Sequence, residues 1–419
     1  MNDVRKLLNR EELLNLQRKS SWKAIWMLLV NWSLIVASFA VVVAWPGVAT
    51  VALAMLVLAG RQLGLGILMH ECAHRSFTPS RPLNDWIGQW LCAAPVFADL
   101  SVYRSYHMTH HVKTGTVDDP DLPNYRGYPV SRASLARKVL RDLIGLTGLK
   151  AAATLVVLYA HAEPEKLRFG YAYKKQSVEP TEVGGDGPGK RSVRHLLWNA
   201  RRILLVHAAA LAMLWACGHP IAYLLWPATW LTVYMLVSRV RNAAEHGALP
   251  GTMSQDIWSN TRTVHAGWWE RMLFAPNFVN YHVEHHLAPT VPSYNLRRLH
   301  RLLRDKGALE QAHVAGGYAE VIRSLVGRPR PDIALHGFLL ATHSDGLAAR
   351  CIRTCQPVLD SSPAVTAQAL AAVQSRCETL APEQRRAANT ERREKEIREL
   401  RKELHHSEGQ LRKLKHSDP

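Results

Sequence analysis

Several features that mark soluble or secreted proteins are missing from this 419-residue sequence. Its six cysteines (72, 92, 217, 351, 355 and 377) form no C-x-x-C pair, so we expect free thiols in a reducing compartment. No A-x-A-like cleavage site follows the first apolar block, so that block is not a secretory signal. Charge is absent from residues 24–45, a run of 22 residues that is long enough to cross a hydrocarbon core of about 30 Å.

Apolar blocks dominate what is present. Apolar residues make up 47% of the chain, and four blocks form two tight pairs, 24–45 with 46–69 and 203–217 with 220–238. Trp22, Trp26 and Trp45 lie near the ends of the first block, where indole rings favour the headgroup layer. We therefore predict an all-α integral membrane protein with four transmembrane helices in two hairpins. Arg61 interrupts the second block, and we expect its side chain to reach the interface.

Basic residues outnumber acidic ones, 52 to 34, which gives a formal net charge of +18. The connectors 46–50 and 218–219 carry no Lys or Arg, whereas basic residues flank the other ends of the blocks. This pattern predicts a multi-pass protein, as in a bacterial inner membrane, with both termini and every histidine motif in the cytoplasm. Binding to nucleic acid is not needed to explain the charge. The flanking residues are Arg5, Lys6, Arg10, Arg18, Lys19, Lys23, Arg201, Arg202, Arg239 and Arg241.

The remaining segments predict a domain order. Residues 1–21 form an amphipathic segment expected to lie on the membrane, and 22–325 form the membrane domain. A flexible loop is expected at 161–195, and residues 287–325 are expected to belong to a cytoplasmic helical cap. Residues 326–384 are weakly patterned, and 385–419 predict a charged helical tail.

Two further apolar segments are not expected to span the bilayer. Residues 83–100 contain Asp85 and Pro95, which favours a helix in the interface. Residues 143–160 are assigned to the interface or the periphery because the histidine motifs on either side must meet on one side of the membrane.

Nine histidines fall into four short motifs with helical spacing. Residues three and four apart lie on one face of a helix, so the imidazoles within each motif can converge. Because histidine is 21 of 419 residues, H-x-x-H-H is expected by chance about 0.05 times, yet the chain has two copies. Nine neutral imidazoles exceed what one metal ion can use, which predicts two metal ions. The histidines are His70 and His74; His107, His110 and His111; His246; and His282, His285 and His286.

This set of motifs resembles the membrane fatty acid desaturase superfamily over about residues 22–300. The resemblance implies a di-iron site held in the cytoplasmic cap, O2 as co-substrate and removal of two hydrogens from adjacent methylenes of an acyl chain. It also implies that Asn242, in the N-x-x-x-H motif with His246, reaches the metal through water. Histidines 161, 195, 207, 219, 265 and 300 stand outside the motifs and are interpreted as ordinary polar residues.

Six carboxylates lie beside the motifs in the sequence. Such groups often orient metal-bound imidazoles, but surface charge or an Asp-Pro turn would explain them equally well. The candidates are Glu71, Asp118, Asp119, Asp121, Glu245 and Glu284.

The sequence is compatible with several functions. No H-P-G-G haem motif is fused, so electrons should come from an external donor such as ferredoxin, rubredoxin or cytochrome b5, docked on the basic surface. The acyl chain could be linked to a lipid, coenzyme A or a carrier protein. A hydroxylase or ketolase of lipid, carotenoid or alkane would use the same metal cluster. H-E-C-A-H also matches a zinc peptidase motif, and a catalytically inactive lipid-binding scaffold is the remaining alternative.

Overall fold

The computed structural model describes residues 4–161 and 193–327. Most of the loop expected at 161–195 and nearly all of the C-terminal regions at 326–384 and 385–419 lie outside the described residues, as do cysteines 351, 355 and 377. Cys72 and Cys92 are buried and Cys217 is exposed, and all three are free thiols, as predicted.

The described part is mostly helical. Short 3-10 and π-helical turns, at Gly88–Ala93 for example, join some of the helices. The helices are α1 (Arg10–Gln17), α2 (Ser21–Ala44), α3 (Val48–Ala73), α4 (Arg81–Ile87), α5 (Leu100–Lys113), α6 (Leu122–Tyr125), α7 (Arg132–Leu143), α8 (Leu146–His161), α9 (Val193–Ala216), α10 (Leu225–Leu231), α11 (Val233–His246), α12 (Ile257–Asn260), α13 (Trp268–Leu273), α14 (His282–Leu287), α15 (Ser293–Asp305) and α16 (Tyr318–Ser324).

Within residues 4–161 and 193–327, four helical segments are long and apolar enough to cross a membrane, in agreement with the four predicted blocks. They are Ser21–Ala44, Val48–Ala73, Val193–Ala216 and Pro220–His246. The segment expected to be peripheral, α8, forms a pair with α7 that is bent by 62° and would count as a fifth candidate if both helices were one span.

Helix α3 is the axis around which the described residues are arranged. From Leu58 to Ala73 every residue except Gly66 is buried, and α3 packs against α2, α5, α10, α11 and α13. A helix that is apolar and covered all round belongs to the interior of a protein rather than to its lipid-facing surface. Because His70 lies in its last turn, this helix places a histidine motif at the centre of the fold.

The structure corrects three sequence expectations. Arg61 does not reach the interface; it is 3% exposed and donates to Asn31 Oδ1 and the Met272 carbonyl, partners that hydropathy cannot reveal. The N-terminal segment does not present its whole apolar side to a membrane, since Leu8, ahead of α1, and Leu16 of α1 are buried in one cluster with Leu296 of α15.

The third correction concerns residues 83–100, which are not one interfacial helix. They form α4, a π-helical turn and a 3-10 turn that ends at Phe97, whose φ of 61° is left-handed. Ile87, Cys92 and Ala93 are buried against residues of α2 and α3, so much of this segment is core.

Two short strands depart from the all-α prediction. β1 (Arg262–Val264) and β2 (His313–Ala315) pair in parallel, with Thr263 opposite Val314. β1 is buried throughout, and pairing provides partners for backbone groups that would otherwise be buried without them. The pair connects the segment before the last histidine motif to the chain that follows α15.

Candidate metal centre

Four helices deliver the nine histidines to one place. α3 supplies His70 in its last turn and His74 at its C-cap, and α11 ends on His246. Asp99 caps the N-terminus of α5, because its carboxylate accepts from the backbone N–H groups of Ser101 (2.9 Å) and Val102 (3.3 Å). The other motif histidines lie on α5 (His107, His110 and His111) and α14 (His282, His285 and His286).

The nine imidazoles form two groups, each able to hold a metal ion. Within each group, one ring nitrogen of every histidine lies within 4.8 Å of all the others. We call them the five-histidine group and the four-histidine group. The first consists of His70, His74, His107, His111 and His285, and the second of His110, His246, His282 and His286.

The Nε2 atoms point at one another. His107 Nε2 lies 2.9 Å from the Nε2 atoms of both His74 and His111, and His285 Nε2 lies 3.0 Å from that of His111. In the other group His282 Nε2 lies 3.0 Å from His246 Nε2 and 3.1 Å from His286 Nε2.

These contacts fit a metal better than a hydrogen-bond network. Each facing pair of nitrogens can share only one proton, and a neutral imidazole has one N–H. His70 Nε2 is buried and has no hydrogen-bond partner among the described residues. A buried nitrogen lone pair without a donor is costly, whereas a cation at the centre of each group would use all of them. Neutral imidazole sets of this kind suit iron, zinc or copper.

Burial keeps most of these rings neutral. It lowers the pKa of His74 to about 3, with help from the positive charges of His110 and Arg104. It also lowers the pKa of His107, His285 and His286, and neighbouring imidazoles add to the effect. The neutral ring is the form that binds metal, so these rings require no deprotonation near neutral pH.

Asp119 makes His110 an exception. Burial alone would lower the pKa of His110, but the hydrogen bond from its Nδ1 to Asp119 Oδ1 (2.8 Å) and the charges of Asp121 and Asp119 outweigh burial and raise it. Tyr125 donates to the other oxygen of Asp119 at 2.5 Å. These two hydrogen bonds fix the orientation of the His110 ring and leave its Nε2 atom free to bind a metal ion.

Three more candidate carboxylates lie next to the ring nitrogens. Glu71 Oε1 is 3.2 Å from His70 Nδ1, and Glu245 Oε1 is 3.2 Å from His282 Nδ1 and 2.6 Å from Arg241. Asp121 Oδ2 is 3.6 Å from His110 Nδ1. These contacts bring carboxyl oxygens to the Nδ1 atoms of His70, His282 and His110.

The other candidates are placed differently. Asp118 is exposed and pairs with Lys113 at 3.3 Å. Glu284 is fully buried, but its oxygens bond His300 Nδ1 (2.5 Å) and Thr263 Oγ1 (2.6 Å), so it ties α14 to α15 and β1. Asn242 accepts from Arg241 at 2.9 Å and donates to Ser238 at 3.5 Å, and no described contact joins it to the nine histidines.

Sequence reasoning missed the partners of these groups. Ser293 N, the first residue of α15, donates to Glu71 Oε2 at 2.8 Å, and Ser76 Oγ donates to the same oxygen at 3.1 Å. The carbonyl of Asn260 accepts from His246 Nδ1 at 2.9 Å. Backbone groups leave no signature in a sequence, and Tyr125 and Ser76 belong to no motif.

Replacing Asp119 with asparagine tests the orientation of His110. Because the amide cannot hold the ring as a carboxylate does, we expect metal affinity to fall about 10- to 100-fold. Isothermal titration of the chelated, purified protein with Co(II) measures this change. Asp118→Asn is the matched control, since the neighbouring carboxylate is exposed and should leave the affinity unchanged. Equal losses in the two variants would contradict the role of Asp119.

Four candidate membrane spans and two largely buried histidine groups among the described residues define the class of the protein, a membrane protein with a site suited to metal. The chain belongs to the fatty acid desaturase family, whose model matches residues 44–315. The family makes it an oxidoreductase of lipid metabolism.

The curated relatives are distant desaturases. The chain is 24% identical to the dihydrorhizobitoxine desaturase of Bradyrhizobium elkanii over 63% of its own length and 71% of that protein. It is 24% identical to the sn-1 oleoyl-lipid 12-desaturase of Picosynechococcus over 66% of this chain and 77% of the relative. A shorter match, 39% identical, is to the sn-1 acyl-lipid omega-3 desaturase (ferredoxin) of Synechocystis, over 16% of this chain and 17% of that protein.

Proposed function

We propose that this protein is an O2-dependent desaturase that introduces a double bond into a fatty acyl chain. The observation that carries the proposal is the division of nine histidines into two adjacent groups, each with its ring nitrogens within 4.8 Å. The two groups would hold one iron ion each. Iron bound in this way supplies the oxidising chemistry with O2 and two electrons.

The residues of the chain bind and orient the metals and exclude water. The nine histidines are the proposed ligands, with Asn242 as a further ligand through water. Asp119 and Glu71 orient two of the rings by hydrogen bonds, and Glu245 lies beside a third. A small cavity is lined by Ile67, Val279 and Leu296 together with Glu71, Ser293 and the rings of His70, His282 and His285. The three apolar side chains would give an acyl chain a surface to contact beside the proposed ligands.

The membrane arrangement supports an acyl substrate. α3 is a candidate span and carries His70, so an acyl chain in the bilayer needs to travel only a short way to reach the site. We propose two transmembrane hairpins, with both termini, the helical cap and the metal centre in the cytoplasm, on the basis of the distribution of Lys and Arg.

The electron donor is proposed to be a separate protein. The Synechocystis relative carries ferredoxin in its name, which favours a ferredoxin-type donor here over rubredoxin or cytochrome b5. The name of the Bradyrhizobium relative refers to dihydrorhizobitoxine rather than to an acyl lipid, so substrate class needs a direct test.

The contacts of Glu71 argue against a zinc peptidase. In that alternative Glu71 would activate a water molecule, but its carboxylate already accepts from Ser293 N and Ser76 Oγ and faces His70. Six of the nine histidines would also have no role in a site with three ligands.

Product analysis tests the proposed function. We expect lipids from a host that lacks the activity to gain a new double bond when the protein is expressed, and the purified protein to contain two iron atoms per chain. Turnover should stop when O2 or the reductant is withheld. A hydroxyl or keto product would favour the hydroxylase or ketolase, and protein that contains zinc and is indifferent to O2 would favour a peptidase.

A further inference from the structure

A buried cation lies within the second candidate span, away from the histidines. Arg61 of α3 donates from Nη2 to the Met272 carbonyl (2.7 Å) and from Nη1 to Asn31 Oδ1 (3.2 Å). It has no ion-pair partner among the described residues. Burying a charge that only neutral groups solvate is costly, and a cost of this kind within a span points to a specific role.

The hydrogen bonds of Arg61 belong to a network that joins three segments. Asn31 of α2 donates to Asn277 Oδ1 at 3.1 Å and to the Met27 carbonyl at 2.7 Å. Asn277 in turn donates to the Gly64 carbonyl at 2.8 Å. The network therefore fastens the turn at residues 272–278 to two candidate spans at once.

The fastened turn is strained. Asn277 and Phe278 have φ values of 56° and 65°, in the left-handed region that side chains other than glycine rarely adopt. Such a backbone conformation persists only where its surroundings enforce it. The two hydrogen bonds of the Asn277 amide, one to each span, provide that constraint.

Two glycines allow the segments to come this close. A Cβ at Gly60 would lie 2.0 Å from the Met272 carbonyl oxygen, and a Cβ at Gly64 would lie 2.1 Å from Asn31 Oδ1. At Gly66, on the same helix, a Cβ would meet nothing within 4 Å. The close approach is thus confined to the side of α3 that faces the network.

The turn leads directly into the last histidine motif. His282 is only four residues after Phe278 in the sequence. Val279, between them, packs with Leu63 and Ile67 of α3. The rings of His70 on α3 and His285 on α14 have centroids 4.4 Å apart. A shift of the turn along α3 would therefore move the α14 histidines relative to His70.

We propose that Arg61, Asn31 and Asn277 are positioning residues that set α14 against α3 and so assemble the two histidine groups. The proposal rests on the metal centre of the proposed function. No residue of the network contacts a metal position; each acts by holding the strained turn.

Glycine substitutions test the proposal with a control on the same helix. We expect Gly60→Ala and Gly64→Ala each to weaken Co(II) binding to the chelated, full-length protein about tenfold or more. Mutation of a residue that holds a metal ligand in place typically has an effect of this size. Gly66→Ala should bind as the parent does. If the parent itself binds no Co(II), the proposed metal centre fails; if the parent binds and all three variants match it, the positioning role fails.

A double variant separates positioning from simple crowding. In Gly64→Ala with Asn31→Ala the clash is removed, but so are the hydrogen bonds of Asn31. We expect Co(II) affinity to stay low, because the turn has lost its hydrogen bond to α2. Recovery of the parent affinity would mean that only packing matters and would overturn the proposal.

Asn277→Gly provides a test that does not depend on a clash. Glycine accepts the positive φ, so the chain should fold, but both amide hydrogen bonds are lost. We expect weaker Co(II) binding and an altered visible Co(II) spectrum with little change in thermal unfolding. A variant with a lowered unfolding temperature but the parent spectrum and affinity would show a purely structural role and overturn the proposal.

Discussion

Replacement of His285 by alanine is expected to abolish turnover and to remove the metal from the five-histidine group. His285 Nε2 lies 3.0 Å from His111 Nε2, and its ring faces His70, so the variant loses a nitrogen at the centre of the group. Mutation of a group that only supports a ligand lowers metal affinity or activity about 10- to 100-fold, and loss of the ligand itself should lower them further. Product formation and iron content per chain measure the effect.

Membrane insertion should survive this change, because α14 lies outside the four candidate spans. His265→Ala is the matched control: that side chain is exposed and belongs to neither group, so turnover should remain. His110→Ala tests the four-histidine group in the same way. Turnover retained in either the His285 or the His110 variant would refute the ligand assignment.

The division of the histidines follows from helix geometry. In both H-x-x-H-H motifs the pair four residues apart stays in one group, His107 with His111 and His282 with His286, while His110 and His285 join the other group. With 3.6 residues per turn, positions four apart differ by about 40° around the helix, whereas the third histidine lies about 60° to the other side. The motifs therefore predict a split, but not which helices complete each group.

Convergence of the motifs could be predicted because it depends on spacing within single helices. The choice between Asp118 and Asp119 could not, because it depends on how the turn after α5 folds back. One carboxylate is buried against His110 and its neighbour is exposed beside Lys113, although the two are adjacent and chemically identical.

Arg61 shows the same limit in the membrane domain. When only hydropathy is considered, a charged residue in an apolar block is predicted to extend its side chain to the membrane interface. Its partners, Asn31 and the Met272 carbonyl, lie 30 and 211 residues away in the sequence. Four apolar blocks predicted the four candidate spans, since each block is local, whereas contacts between distant segments had no local signal.

Replacement of Asp142 by asparagine is expected to lower the free energy of unfolding by about 3 kcal/mol, the lower end of what a broken buried ion pair costs. Asp142 is fully buried, and its oxygens accept from Arg239 Nε at 2.5 Å and Nη2 at 2.8 Å. Thr147 also donates to it at 2.6 Å. The neutral amide would leave the guanidinium, 19% exposed at the side chain, without an anion.

This pair joins α7 to α11, whose last residue is His246, so its loss should loosen a helix that carries a proposed ligand. Thermal unfolding of the detergent-purified protein measures the effect. Asp305→Asn is the matched control, because the Arg304–Asp305 pair is 63% and 61% exposed and such pairs contribute about 0–1 kcal/mol. A double-mutant cycle with Arg239→Met isolates the pair itself. A coupling free energy near zero would mean that burial of Asp142, rather than its bond to Arg239, holds α7 against the fourth candidate span.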